Sequence, residues 1–159
     1  MNSTSIVSSR TAVRRLAILS ASIAGLLTPS GGARAADFTW NGRTANWNTA
    51  SEWAGGTAPA SDAANVLIFS GTTLAAPYIA TDNLGSDFRL NRLALTSADA
   101  AANTLATNGT ANLLFVADGG VNPTFDQSGA GAMIVDIPFS VMDPLNLTGT
   151  GTGLVTLSG

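Results

Sequence analysis

Apolar residues fall in short clusters along this chain, and Gly, Asn, Asp, Ser and Thr fill the gaps. Val66-Leu67-Ile68-Phe69 ends at Ser70-Gly71. Phe88 to Leu95 alternates, with Phe88, Leu90, Leu93 and Leu95 apolar and Arg89 and Arg92 towards the outer face. Leu113 to Val116 runs into Asp118-Gly119-Gly120. Met133 to Ile137 is broken by Pro138, and Leu145 to Leu147 and Leu154 to Leu157 complete the set. Clusters this short read as strands, and the fillers are residues that tolerate tight bends. The early clusters start about 20 to 25 residues apart, a solenoid-like period. The pattern predicts an all-β chain folded as a parallel β-helix (β-solenoid). Each coil contributes two or three short strands, with Pro138 and Pro144 at corners. An antiparallel β-sandwich is the alternative, since it too uses short strands at regular spacing. Ala98 to Ala102 is long enough for a helical turn only.

Phe38 to Trp53 holds all three tryptophans, Trp40, Trp47 and Trp53, around an Asn41-Gly42 turn dipeptide. Their spacing does not fit one face of a straight strand and suits short strands folded back on each other. Two uses compete. Indole faces could bind a ligand by stacking on a sugar, or the rings could form a lid over the first coil, whose edge is otherwise open. The lid is the favoured reading, because the end coils of a stack need caps.

The first 35 residues differ in composition. Arg10, Arg14 and Arg15 precede the apolar run Leu16 to Leu27, and Ala33-Arg34-Ala35 supplies an A-x-A cleavage site before Ala36. The run is about 12 residues, short of the ~20 that span a membrane. It predicts a cleaved signal peptide, and Arg14-Arg15-Leu16 leaves general secretion or the twin-arginine route open. The expected layout is therefore a signal peptide at 1–35, a Trp-rich cap at 36–60 and solenoid coils at 61–159. No membrane span is expected in the mature part.

Composition narrows the chemistry. The chain has no Cys, His or Lys, and Glu52 is its only Glu. Thiolate, imidazole and lysine catalysis are excluded, along with their metal ligands. After cleavage, three arginines face ten acids, a balance of −7 that disfavours nucleic acid. No enzyme activity, cofactor or metal is expected. The Asp-containing loops are read as ordinary turns. Asp118-Gly119-Gly120 with Asp126 lacks a calcium-repeat pattern, and Asp62 with Asn65 suits a turn cap. Asp82 and Asp87 show no sign of being a glycosidase carboxylate pair. The sequons at Asn108 and Asn146 are taken as chance matches.

The last stretch, Gly149 to Gly159 (G-T-G-T-G-L-V-T-L-S-G), resembles the opening of the autotransporter-associated β-strand repeat. Trp40-Asn41-Gly42 with Trp47-Asn48 and Trp53 resembles the segment that precedes such repeats. Gly131 to Leu147 is similar to the coil before the first repeat. The resemblance covers most of Ala36 to Gly159 and implies an exported bacterial β-helix passenger. Such a passenger is surface-displayed or secreted, with a structural or adhesive role. Its partners would be extracellular glycans or a host or neighbouring-cell surface. The alternative function is a carbohydrate-binding or polysaccharide-active β-helix module. Downstream repeats or an outer-membrane barrel are expected for the family and are absent here. The chain therefore reads as cut short, with Leu154, Val155 and Leu157 on an uncovered edge.

Overall fold

Strand geometry turns alternate side chains to opposite faces, so short apolar clusters can each supply one or two inward residues. The computed structural model describes residues 35–71 and 76–159, and in it this pattern yields thirteen strands and one 3-10 turn (Ala50–Glu52). The strands are β1 (Asp37–Trp40), β2 (Ala45–Asn46), β3 (Val66–Phe69), β4 (Ile79–Asp82), β5 (Phe88–Leu90), β6 (Arg92–Leu95) and β7 (Asn103–Thr107). They continue as β8 (Leu113–Phe115), β9 (Thr124–Gln127), β10 (Met133–Asp136), β11 (Phe139–Val141), β12 (Asn146–Thr148) and β13 (Val155–Leu157). The proposed signal sequence through Arg34, Ala33 included, lies outside the described residues.

Every ladder between these strands is parallel. One sheet runs β1-β3-β6-β9-β12, a second β13-β10-β7-β4-β2, and a third β11-β8-β5. The chain visits the sheets in turn and advances one strand in each per circuit. The fold is a parallel β-solenoid of about four turns, and the sandwich is excluded because its sheets would be antiparallel.

Register builds the core. Phe38, Leu67, Leu93, Phe125 and Leu147 stand in one inward column of the first sheet. Ala45, Ala80, Leu105, Val135 and Leu157 do so in the second, and Phe88, Leu113 and Phe139 in the third. Leu67, Leu93, Leu105 and Leu113 are fully buried. Each contributes roughly 1.5–3 kcal/mol of transfer free energy, and only because coils above and below cover it.

The structure corrects the linear pattern in places. Phe88 to Leu95 is two strands, β5 and β6, in different sheets. The chain turns at Asn91, whose side-chain amide donates to the Val116 and Val121 carbonyls. Ala98 to Ala102 forms no helix. It belongs to a corner where the buried Asn103 amide donates to Ser97 Oγ and Asp99, while its carbonyl oxygen accepts the Tyr78 backbone N–H. Strands β4, β7, β9 and β11 carry too few apolar residues to stand out as clusters. The Trp segment is the first tier of the same stack, because β1 pairs with β3 and β2 with β4.

Candidate functional site: the two ends of the coil stack

At the first end the chain folds over its own edge. Trp53 forms an antiparallel bridge with Trp40, Asn41 N–H donates to the Glu52 carbonyl, and Ala54 N–H donates to the Thr39 carbonyl. The 3-10 turn between β2 and Trp53 makes this return possible. All three indoles point into the core, with Trp40 and Trp47 at 0 % exposure and Trp53 at 1 %. Trp40 and Trp53 meet edge to face at 4.9 Å, and Trp47 packs against Phe69 and Phe88 at 5.6 and 5.7 Å. The Trp53 indole N–H donates to the Trp47 carbonyl (2.7 Å) and that of Trp40 to the Arg43 carbonyl (3.0 Å). Sugar stacking needs an open ring face, and these rings have none. They seal the end of the core.

At the other end the core lies open. Phe125, Gln127, Phe139, Leu145, Leu147, Thr148, Val155 and Leu157 line a cleft of about 270 Å³. Leu147 is 77 % exposed and Leu157 53 %, and Val141 and Met142 are exposed beside them. Phe125, Phe139, Leu147 and Leu157 continue the inward columns, and among the described residues no further coil covers Leu147 and Leu157. Pro144 to Gly159 carries no charged side chain. An uncovered edge at Leu154, Val155 and Leu157 was legible in the sequence; Leu154 and Leu157 are exposed, while Val155 is half-buried against the core. The contributions of Phe125, Phe139, Val141 and Met142 were not, because only the stacking of β9 and β11 brings them to the rim.

The Asp positions do not converge on a site. Asp62 Oδ1 accepts the Ala64 N–H within a turn that Asn65 completes by donating to the Ala60 carbonyl. Asp82 is buried and accepts the Leu84 N–H, whereas Asp87 is exposed and accepts two donors from Asn112. Burial pushes the Asp82 carboxyl above its usual range, opposed by the Leu84 bond. Trp47 and Asp82 follow Asn46 and Thr81 in register, and among the described residues the Trp47 indole N–H and Asp82 Oδ2 have no hydrogen-bond partner. Asp118 bridges Val121 in a turn closed by Gly119 and Gly120, away from any ladder. Asp126 pairs with Arg92 and accepts the Ser128 hydroxyl. The Ser128 bond, ahead of the Arg92 and Thr148 contacts, holds the Asp126 carboxyl below its usual range against the effect of burial. Among the described residues no group of three or more metal-ligating side chains comes together, and no helix is long and apolar enough to cross a membrane. Ala35 and Ala36 are exposed and outside any strand.

Comparison with family models, curated proteins and solved structures returned no match.

Proposed function

We propose that this chain is an exported, passenger-type β-helix segment of the autotransporter-repeat kind, structural or adhesive in role and without chemistry of its own. The observation that carries the reading is the register of the Gly-Thr corner. Gly151 N–H donates to the Gln127 carbonyl and Gly153 N–H to the Gly129 carbonyl, so this corner lies directly on the one before it. A Cβ at Gly151 or Gly153 would overlap the carbonyl oxygen of Gly129 or Gly131. The G-x-G spacing thus has a repeat-forming reason, which supports the resemblance drawn from Gly149 to Gly159. A sealed first tier followed by parallel coils is also the build of a stiff spacer that holds a surface away from its anchor.

Export is tested by expressing the full chain in a Gram-negative host, fractionating the cells and sequencing the N-terminus of the product. The expected product lies outside the cytoplasm and starts at Ala36. An Ala33→Asp/Ala35→Asp variant should stay uncleaved. A cytoplasmic product starting at Met1 would sink the export reading. The adhesive role is read separately, from binding of the labelled protein to intact cells and a glycan panel.

A further inference from the structure

An asparagine followed by glycine can lose its side-chain amide without any enzyme. Glycine has no Cβ, so the main-chain nitrogen after the asparagine is open to approach and free to turn. The chain has two such pairs, Asn41-Gly42 and Asn108-Gly109. The fold treats them in opposite ways.

Asn41-Gly42 belongs to the sealed aromatic end. The Asn41 side-chain amide donates to the Ser51 carbonyl (2.9 Å), and its main-chain N–H donates to the Glu52 carbonyl (2.8 Å). Gly42 is buried, with φ at 73°. These bonds must open before the Asn41 amide can swing onto the Gly42 nitrogen. Asn108-Gly109 lies in the turn between β7 and β8, where Asn108, Gly109 and Thr110 are all exposed. The Asn108 main-chain N–H donates to the Asp82 carbonyl, but among the described residues its side-chain amide has no hydrogen-bond partner. Nothing lies within 4 Å of where a Cβ would sit on Gly109. One contact opposes reaction: Gly109 N–H donates to Thr107 Oγ1 at 3.2 Å, a long bond inside the same turn.

We propose that Asn108 is a self-modification site, which converts to aspartate and isoaspartate with water as the co-reactant, while the folded aromatic end protects Asn41. Hydroxide takes the proton of the Gly109 main-chain nitrogen, which then attacks Asn108 Cγ. The N–Cγ bond forms, the Cγ–Nδ2 bond breaks, and the amide leaves as ammonia with a proton from water. A water molecule opens the resulting five-membered imide. Attack at Cγ restores the ordinary main chain and leaves an aspartate. Attack at the Asn108 main-chain carbonyl carbon leaves an isoaspartate, in which the chain runs through Cβ and Cγ. Either product adds one negative charge. The turn is at the surface, so the extra main-chain atom of isoaspartate stays outside the core. The proposal does not depend on export or adhesion.

The test follows the purified full chain at mildly alkaline pH, one sample native and one in urea, by peptide mapping with mass spectrometry. In the native sample Asn108 should gain one mass unit and give both products. Asn41 should convert at least about tenfold more slowly, because two hydrogen bonds hold it. In urea, where the fold no longer separates them, the two sites should convert at similar rates. Ion exchange of the native sample should show a growing acidic species that keeps the β-type circular dichroism. Asn108→Gln, an exchange on an exposed turn, should fold like the parent and lack that species. Native Asn108 converting no faster than native Asn41, or at least about tenfold more slowly than in urea, would overturn the proposal. An acidic species undiminished in Asn108→Gln would overturn it too.

Discussion

Leu67 and Leu147 stand in the same inward column, yet one is fully buried and the other 77 % exposed. The difference is whether a further coil covers them, and the residue type has no part in it. Asp82 and Asp126 show the same dependence on surroundings. Burial raises the Asp82 carboxyl, while hydrogen bonds to Ser128, Arg92 and Thr148 lower that of Asp126. A raised folded-state pKa gives stability that is present below the ordinary carboxylate value of about 4 and lost as pH rises through the folded value. A lowered one gives stability that is present above that value and lost as pH falls through the folded one. Asp82→Asn should therefore gain on the parent as pH rises from about 4 to 8. Asp126→Asn should lose to the parent at neutral pH and converge with it in acid. Thermal melts across that pH series check both; parallel curves for all three proteins would contradict the assignment.

At the scale of the element, a strand is recognisable only where its inward residues are apolar. Val66 to Phe69 matches β3 at both ends, since Leu67 and Phe69 face the core and Val66 and Ile68 are also apolar. Strands β4 and β7 hide because Thr, Asn and Asp fill positions that the ladder needs and the hydrophobic pattern does not mark. Corners are more legible. The Gly-Thr run between β12 and β13 is dictated by the close approach of successive coils, which leaves no room for a side chain. Gly151→Ala forces a methyl into the Gly129 carbonyl oxygen. Backbone cannot yield there as a flexible side chain can. The expected outcome is loss of amide exchange protection in β12 and β13, with β3 to β8 protected as in the parent. Unchanged protection in β13 would show that the corner tolerates a Cβ.

For the whole molecule, each coil touches only its neighbours, so stability is close to one-dimensional and opening starts where a coil has one neighbour. The aromatic end has a seal, and among the described residues the last coil has no neighbour beyond it. Exchange should rise from β6 towards β12 and β13. Trp53→Ala removes a ring held among Trp40, Trp47 and Phe69 and should cost about 3–5 kcal/mol in denaturant titration. The same variant should raise exchange in β1 and β3 first. A uniform increase through all tiers would mean that the stack melts as one unit.

The sequence by itself determined the all-β class, the coil period, the corner chemistry and the chemistries that the missing Cys, His and Lys exclude. Those depend on residue type and near-neighbour spacing, which the chain carries locally. The tertiary structure alone decided that Phe88 to Leu95 turns between sheets and that the three indoles are sealed inside. It also set Asp82 and Asp126 on opposite sides of the usual carboxylate range, and it gathered Phe125, Phe139 and Leu147 at one open rim. Each of these depends on which coil lies above or below a residue, and that neighbour is about a full circuit away along the chain.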